Sequence, residues 1–213
     1  MRRASVLMGS TIGFGVLYLA ATVALGTPPK SSDPGAVVAT WFADNGSHVR
    51  VWLWLLTLNL PLFATFVVLV RQRLPKPFDD VFLFGGIAFT GATAVQGWFW
   101  AGLALHGKDL EPATASTLFS VVSYWGPTLT ATTVLMLAPI AILGLQGGHR
   151  GLPRWLGVVS ALALAEQLVE TITIFGHDGF LAPGGPMNSF VGAGAVIVAW
   201  FSLAICLTRT AAD

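Results

Sequence analysis

The chain has 213 residues, of which 54% are hydrophobic and only 10% charged, with a formal net charge of +1. Soluble domains carry about 25% charged residues, so water is not the main solvent of this chain. The near-neutral charge excludes a basic nucleic-acid-binding face, and a single cysteine, Cys206, excludes disulfide frameworks and multi-cysteine metal or iron–sulfur sites.

Apolar blocks of about 20 residues follow one another along the chain, each long enough to cross a bilayer. The first, residues 6–26, follows Met1-Arg2-Arg3 and exceeds the roughly 7–15 residue core of a signal peptide, so it reads as a retained span. Asp33-Pro34 reads as a helix start and Asn45-Gly46 as its stop, with Val37, Val38, Trp41 and Phe42 on one face, which predicts a short helix in the outer interface. Residues 49–70 form a second span, closed by the basic, proline-containing loop Arg71 to Pro77. Asp79 and Asp80 are placed to cap a third, 81–105. The region 114–145 would reach roughly 48 Å against a hydrocarbon thickness near 30 Å, so it is expected to break at Gly126-Pro127. Residues 155–175 and 189–207 make the fifth and sixth spans.

With the N-terminus inside, Arg2, Arg3, Arg71, Arg73, Lys76, Arg150, Arg154 and Arg209 lie inside, and Lys30, Arg50 and Lys108 outside. This bias of Lys and Arg toward the cytoplasmic side supports an even number of crossings with both termini inside. The predicted fold is therefore one all-α domain, a polytopic six-helix membrane bundle of sequential neighbours.

Ionisable groups inside hydrocarbon are costly and mark candidate sites. Glu166 and Glu170 are the clear cases, and with Thr173 and His177 they share one face of span five. Such a pair can carry protons, hold a cationic ligand or do acid–base work; it can equally be protonated or bonded to amides and simply join helices. Asn59, Gln96, Ser123, Tyr124, Thr128 and Gln167 are candidates to share the cavity. His48, His106 and His177 fall at outer span ends as a thinner zinc or copper constellation, but no local H-x-x-x-H spacing supports it, and no metal or other cofactor is assigned. Trp41, Trp52, Trp155 and Trp200 read as interface anchors, while Trp98, Trp100 and Trp125 sit near the outer end. Phosphate-binding loops, dinucleotide fingerprints and nucleophile elbows do not occur, which excludes the commonest enzyme classes.

Three features in order, Gly26-Thr27-Pro28-Pro29-Lys30, Trp41-Phe42-Ala43-Asp44-Asn45 and Gly151-Leu152-Pro153-Arg154-Trp155-Leu156-Gly157, resemble the DUF4386-like family of small six-span membrane proteins frequent in actinobacteria. The resemblance implies this fold in a bacterial inner membrane and no activity; the Glu166/Glu170 pair departs from the family pattern. The leading expectation is a protein that handles protons or small molecules, transporter-like or ligand-binding, through an outward-facing pocket floored by the two glutamates. The alternatives are an intramembrane enzyme acting on a lipid or isoprenoid, and an accessory subunit of a larger complex. Expected partners are the lipid bilayer, a small apolar or cationic ligand, and a second copy or a membrane complex, with no nucleic acid.

Overall fold

The computed structural model describes residues 2–149 and 151–209; Met1 and Arg150, both used in the reading of charge and orientation, lie outside the described residues. The helices are α1 (Arg2–Leu25), α2 (Gly35–Arg71), α3 (Phe78–Leu105), α4 (Pro112–Ser123), α5 (Trp125–Gln146), α6 (Arg154–Glu170) and α7 (Ala193–Arg209). A 3₁₀ turn, Thr171–Phe175, extends α6, and a π-helical turn, Met187–Gly192, leads into α7. Six of the resulting rods are long and apolar enough to cross a membrane, making this a multi-pass membrane helix bundle.

Neighbours in sequence are neighbours in space, and the series closes, since α7 returns to pack on α1 as well as α6. Arg3, Arg71, Arg73, Lys76, Arg154 and Arg209 all belong to the end where α1 begins and α7 finishes, called inner here after that basic bias. At this end Asp79 and Asp80 do not cap α3. They pair instead with Lys76 (3.0 and 2.7 Å), and Asp80 also meets Arg71 at 3.0 Å. The His149 ring lies 3.1 Å from the Arg73 carbonyl, tying the α5–α6 loop to the α2–α3 loop.

The main core is aromatic at its centre. Trp200 lies 5.0 Å from Phe63, 5.5 Å from Phe89 and 5.9 Å from Phe14 between ring centroids, so this residue, expected at an interface, joins α1, α2, α3 and α7 instead. Below it, toward the inner end, Met136, Leu137, Ile140, Leu152 and Leu156 are fully buried.

Two further expectations are corrected. The short interfacial helix and the second span are one helix, α2, about 55 Å long at 1.5 Å per residue. Asn45 does not stop it, because its side-chain amide donates to the Trp41 carbonyl one turn back (2.9 Å). Gly46 serves packing: a Cβ there would sit 3.1 Å from the Ala104 carbonyl oxygen. The second correction concerns Trp41, expected as an interface anchor, which packs on Trp100 (6.2 Å between ring centroids) against a second buried core near the outer end. There the first turns of α2 run beside α4 in the same direction, Gly35 against Pro112 and Phe42 against Phe119, and bury Val38, Trp100, Leu103 and Ala115 between them. The expected break in span four does occur, at Tyr124 between α4 and α5. Pro127 accounts for it, since it has no N–H to offer the Ser123 carbonyl.

Candidate functional site

One buried stripe runs along α6 through Leu156, Ser160, Ala163, Gln167 and Glu170, at the three- and four-residue spacing of a helix face. Its outer half is polar. Counted from Arg154, Glu166 is roughly 18 Å and Glu170 roughly 24 Å into a hydrocarbon layer of about 30 Å. Beyond Glu170 the β-branched run Thr171-Ile172-Thr173-Ile174 fits poorly in an α-helix, and the chain tightens to 3₁₀ with Thr173 Oγ1 donating to the Glu170 carbonyl (2.8 Å).

Glu170 is only 3% exposed, and each carboxylate oxygen is held by a different amide. The Asn188 amide donates to Oε1 (2.5 Å) and the Gln167 amide to Oε2 (2.6 Å). The orientation of Asn188 is fixed by a backbone donor: the Gly184 N–H, in a turn where Gly184 has φ +71°, points at Asn188 Oδ1 (2.9 Å), so the NH₂ group must face Glu170 and Thr173. Gly192 completes the enclosure, because any Cβ there would overlap Glu170 Oε2. The π-helical turn thus delivers both an amide and a gap to the same carboxylate.

Gln167 is the bridge. Its NH₂ group donates to Glu166 Oε2 (2.8 Å) as well as to Glu170, and its carbonyl accepts from the Thr133 hydroxyl of α5. Thr133 has a single proton and two acceptors, Gln167 Oε1 and its own helix carbonyl at Thr130 (2.9 Å). Glu166 is half-buried, and its Oε1 is a buried oxygen without a hydrogen-bond partner. No Lys, Arg or His pairs with either carboxylate among the described residues.

The wiring is self-consistent with both carboxylates as acceptors: Gln167 donates to each of them and accepts from Thr133.

Of the residues singled out in sequence, Glu166, Glu170, Thr173 and Gln167 come together. Asn59, Gln96 and Tyr124 are not hydrogen-bonded to them. Asn59 is buried on α2, and its Oδ1 has no partner. Gln96 is half-buried on α3, and Tyr124 stands exposed at the α4–α5 break. Ser123 and Thr128 bond the carbonyls of Phe119 and Tyr124 in their own segment. His48, His106 and His177 are exposed, and no group of three or more His, Cys, Asp or Glu side chains suited to a metal ion occurs among the described residues. Sequence reasoning missed Thr133, Asn188 and Gly192. The available signal was the Gly184-Gly185-Pro186 turn setting an asparagine at the mouth of span six.

Neither of two surface recesses borders the carboxylates; one is lined by Ala113, Thr114, Thr117 and Leu118, the other lies between the outer ends of α2 and α3. Toward the inner end Met136, Leu137, Ile140, Leu152 and Leu156 are fully buried, and toward the outer end Asn188, in the turn-rich approach to α7, packs against Gly126 of α5. Comparison with family models, curated proteins and solved structures finds no match to this chain.

Proposed function

We propose that this is a multi-pass protein of a bacterial plasma membrane, oriented by its basic inner end, that binds a proton or a small cationic ligand from the outer side at Glu166 and Glu170. The observation that carries this reading is that two carboxylates share one amide within the membrane span, and every donor to them is neutral. Charge in a low-dielectric interior calls for countercharge. No side chain supplies it here, which leaves a proton or a bound cation to do so.

The asymmetric enclosure favours binding over passage across the membrane. Between Gln167 and Arg154 at the inner end lie roughly 20 Å of α6 at 1.5 Å per residue, whose buried face there carries Ser160 as its one polar side chain, whereas the outer side is covered by the turn-rich segment before α7, packed through Asn188 on Gly126. Withdrawal of Asn188 with its π-helical turn would open Glu170 outward while leaving the inner layer closed. A second reading, in which the cluster only clasps span six onto span five, is favoured by the tight fit of Gly192 against Glu170.

Melting of the purified protein, followed from about pH 4 to 9 and with added monovalent and organic cations, separates the two. For a binding site, wild type shifts with pH or cation, and Glu170→Gln stays folded and loses the shift. A wild type indifferent to both, with Glu170→Gln merely less stable, would leave the clasp alone standing.

A further inference from the structure

The second recess, about 300 Å³ in volume, lies at the outer ends of α2 and α3, apart from the carboxylate cluster. Glycines set its floor: a Cβ on Gly107 would stand 2.6 Å from the Phe42 carbonyl oxygen, so the two backbones meet closely and side chains are left to form the rim. The rim carries Asp44, Ser47 and Arg50 from α2 and Lys108 and Asp109 from the turn after α3. These are two anions and two cations, and none of the four is in an ion pair among the described residues. Arg50 uses Nε on the Gly46 carbonyl of its own helix (3.2 Å), which leaves its terminal NH₂ groups for another acceptor.

Position gives the recess its meaning. Roughly 32 Å of helix separates Arg50 from Arg71 at the inner end, close to the hydrocarbon thickness of about 30 Å, so the rim stands at the level of outer-leaflet headgroups. Beneath it runs the α2–α3 seam, registered by Trp52 on Trp100 (5.2 Å) and Phe63 on Phe89 (4.8 Å). At 100° per residue, Arg50, Thr57 and Pro61 fall on one flank of this seam on α2, and Ala94 and Ala101 on the same flank of α3. The opposite flank is taken by α1, through Gly13 against Leu62, and by α5, through Thr132 against Gly85. The open flank is therefore a groove of small side chains facing lipid, bordered by Trp54 (62% exposed) and Trp98 (71% exposed).

We propose that the recess and groove bind one outer-leaflet phospholipid whose headgroup carries a phosphate and a free ammonium, of the ethanolamine type. Arg50 and Lys108 take the phosphate, Asp44 and Asp109 the ammonium, and an acyl chain lies between Trp54 and Trp98. The mixed rim sets the selectivity. A glycerol headgroup brings only negative charge to a rim holding two carboxylates, and a choline headgroup has no N–H to donate to them.

The test is native mass spectrometry of the purified protein titrated with ethanolamine, choline and glycerol phospholipids of identical chains, and with free phosphoethanolamine. The ethanolamine lipid is expected to bind about tenfold more tightly than the other two, the free headgroup to leave no adduct, and Asp44→Asn with Asp109→Asn to erase the preference. Ser47→Trp, which fills the recess from an exposed position, should abolish the adduct with the melting temperature unchanged. Equal retention of the three lipids, a preference for the glycerol headgroup, or variants that keep the wild-type preference would overturn the proposal. Binding of free phosphoethanolamine as tight as the lipid's would overturn the role of the groove.

Discussion

Gly192 is the residue that makes room for Glu170: no side chain fits on it, because a Cβ would overlap one carboxylate oxygen. Gly192→Ala is therefore expected to push Glu170 off the Gln167 amide and to cost about 1–3 kcal/mol by overpacking. The apparent melting temperature should fall by roughly 2–10 °C for a chain of this size. Glu170→Ala combined with Gly192→Ala should recover part of that loss; a double variant no better than the sum of its singles would show that the two do not share the space.

Asn188 satisfies three partners with one side chain: Glu170 Oε1, Thr173 Oγ1 and the Gly184 N–H. Asn188→Leu leaves a buried carboxylate oxygen and a backbone donor unpaired, each costing about 1–3 kcal/mol. Thr173→Val removes a hydroxyl whose own proton goes only to the Glu170 carbonyl. The expected order of melting temperatures is wild type, then Thr173→Val, then Asn188→Leu, with the last gap the larger.

Helices α5 and α6 meet glycine on glycine, a Cβ on Gly144 standing 2.6 Å from Gly157 Cα. Gly157→Leu is expected to separate the helices and abolish the monodisperse peak in size-exclusion chromatography. Val158→Leu, one residue along on an exposed face, should leave that peak unchanged.

At the inner end, hydrogen bonds to Asp80 and then Asp79 raise the Lys76 ammonium above its ordinary value. A raised value in the folded state means that the contribution to stability is complete below the usual lysine range and is lost as pH rises through the raised value. Above about pH 10.4, the ordinary lysine value, wild type should lose melting temperature faster than Lys76→Gln. Parallel curves for the two would remove this pair from the account of stability.

Much of the architecture was legible from apolar length, because the bilayer imposes it. The continuity of α2 was not. Asn45-Gly46 is a stop signal in local terms, and only the arrival of Ala104 against Gly46 gives the glycine another purpose. The glutamates stood out because charge is scarce in a span. Their partners did not: Thr133 looks like any other hydroxyl of span four, and Asn188 acquires its role from a π-helical turn that no local pattern announced. Trp200 was misplaced for a related reason, since its depth follows from three phenylalanines on other helices.

Because α2 runs from the outer core to the charge cluster around Arg71, one helix of about 55 Å touches both ends of the bundle. Pro61 lies within it and offers no N–H to the Thr57 carbonyl, so this turn is where the helix can bend. A binder that tilts the outer core against α4 would flex α2 there before it strained the Arg71–Asp80 contact at the inner end.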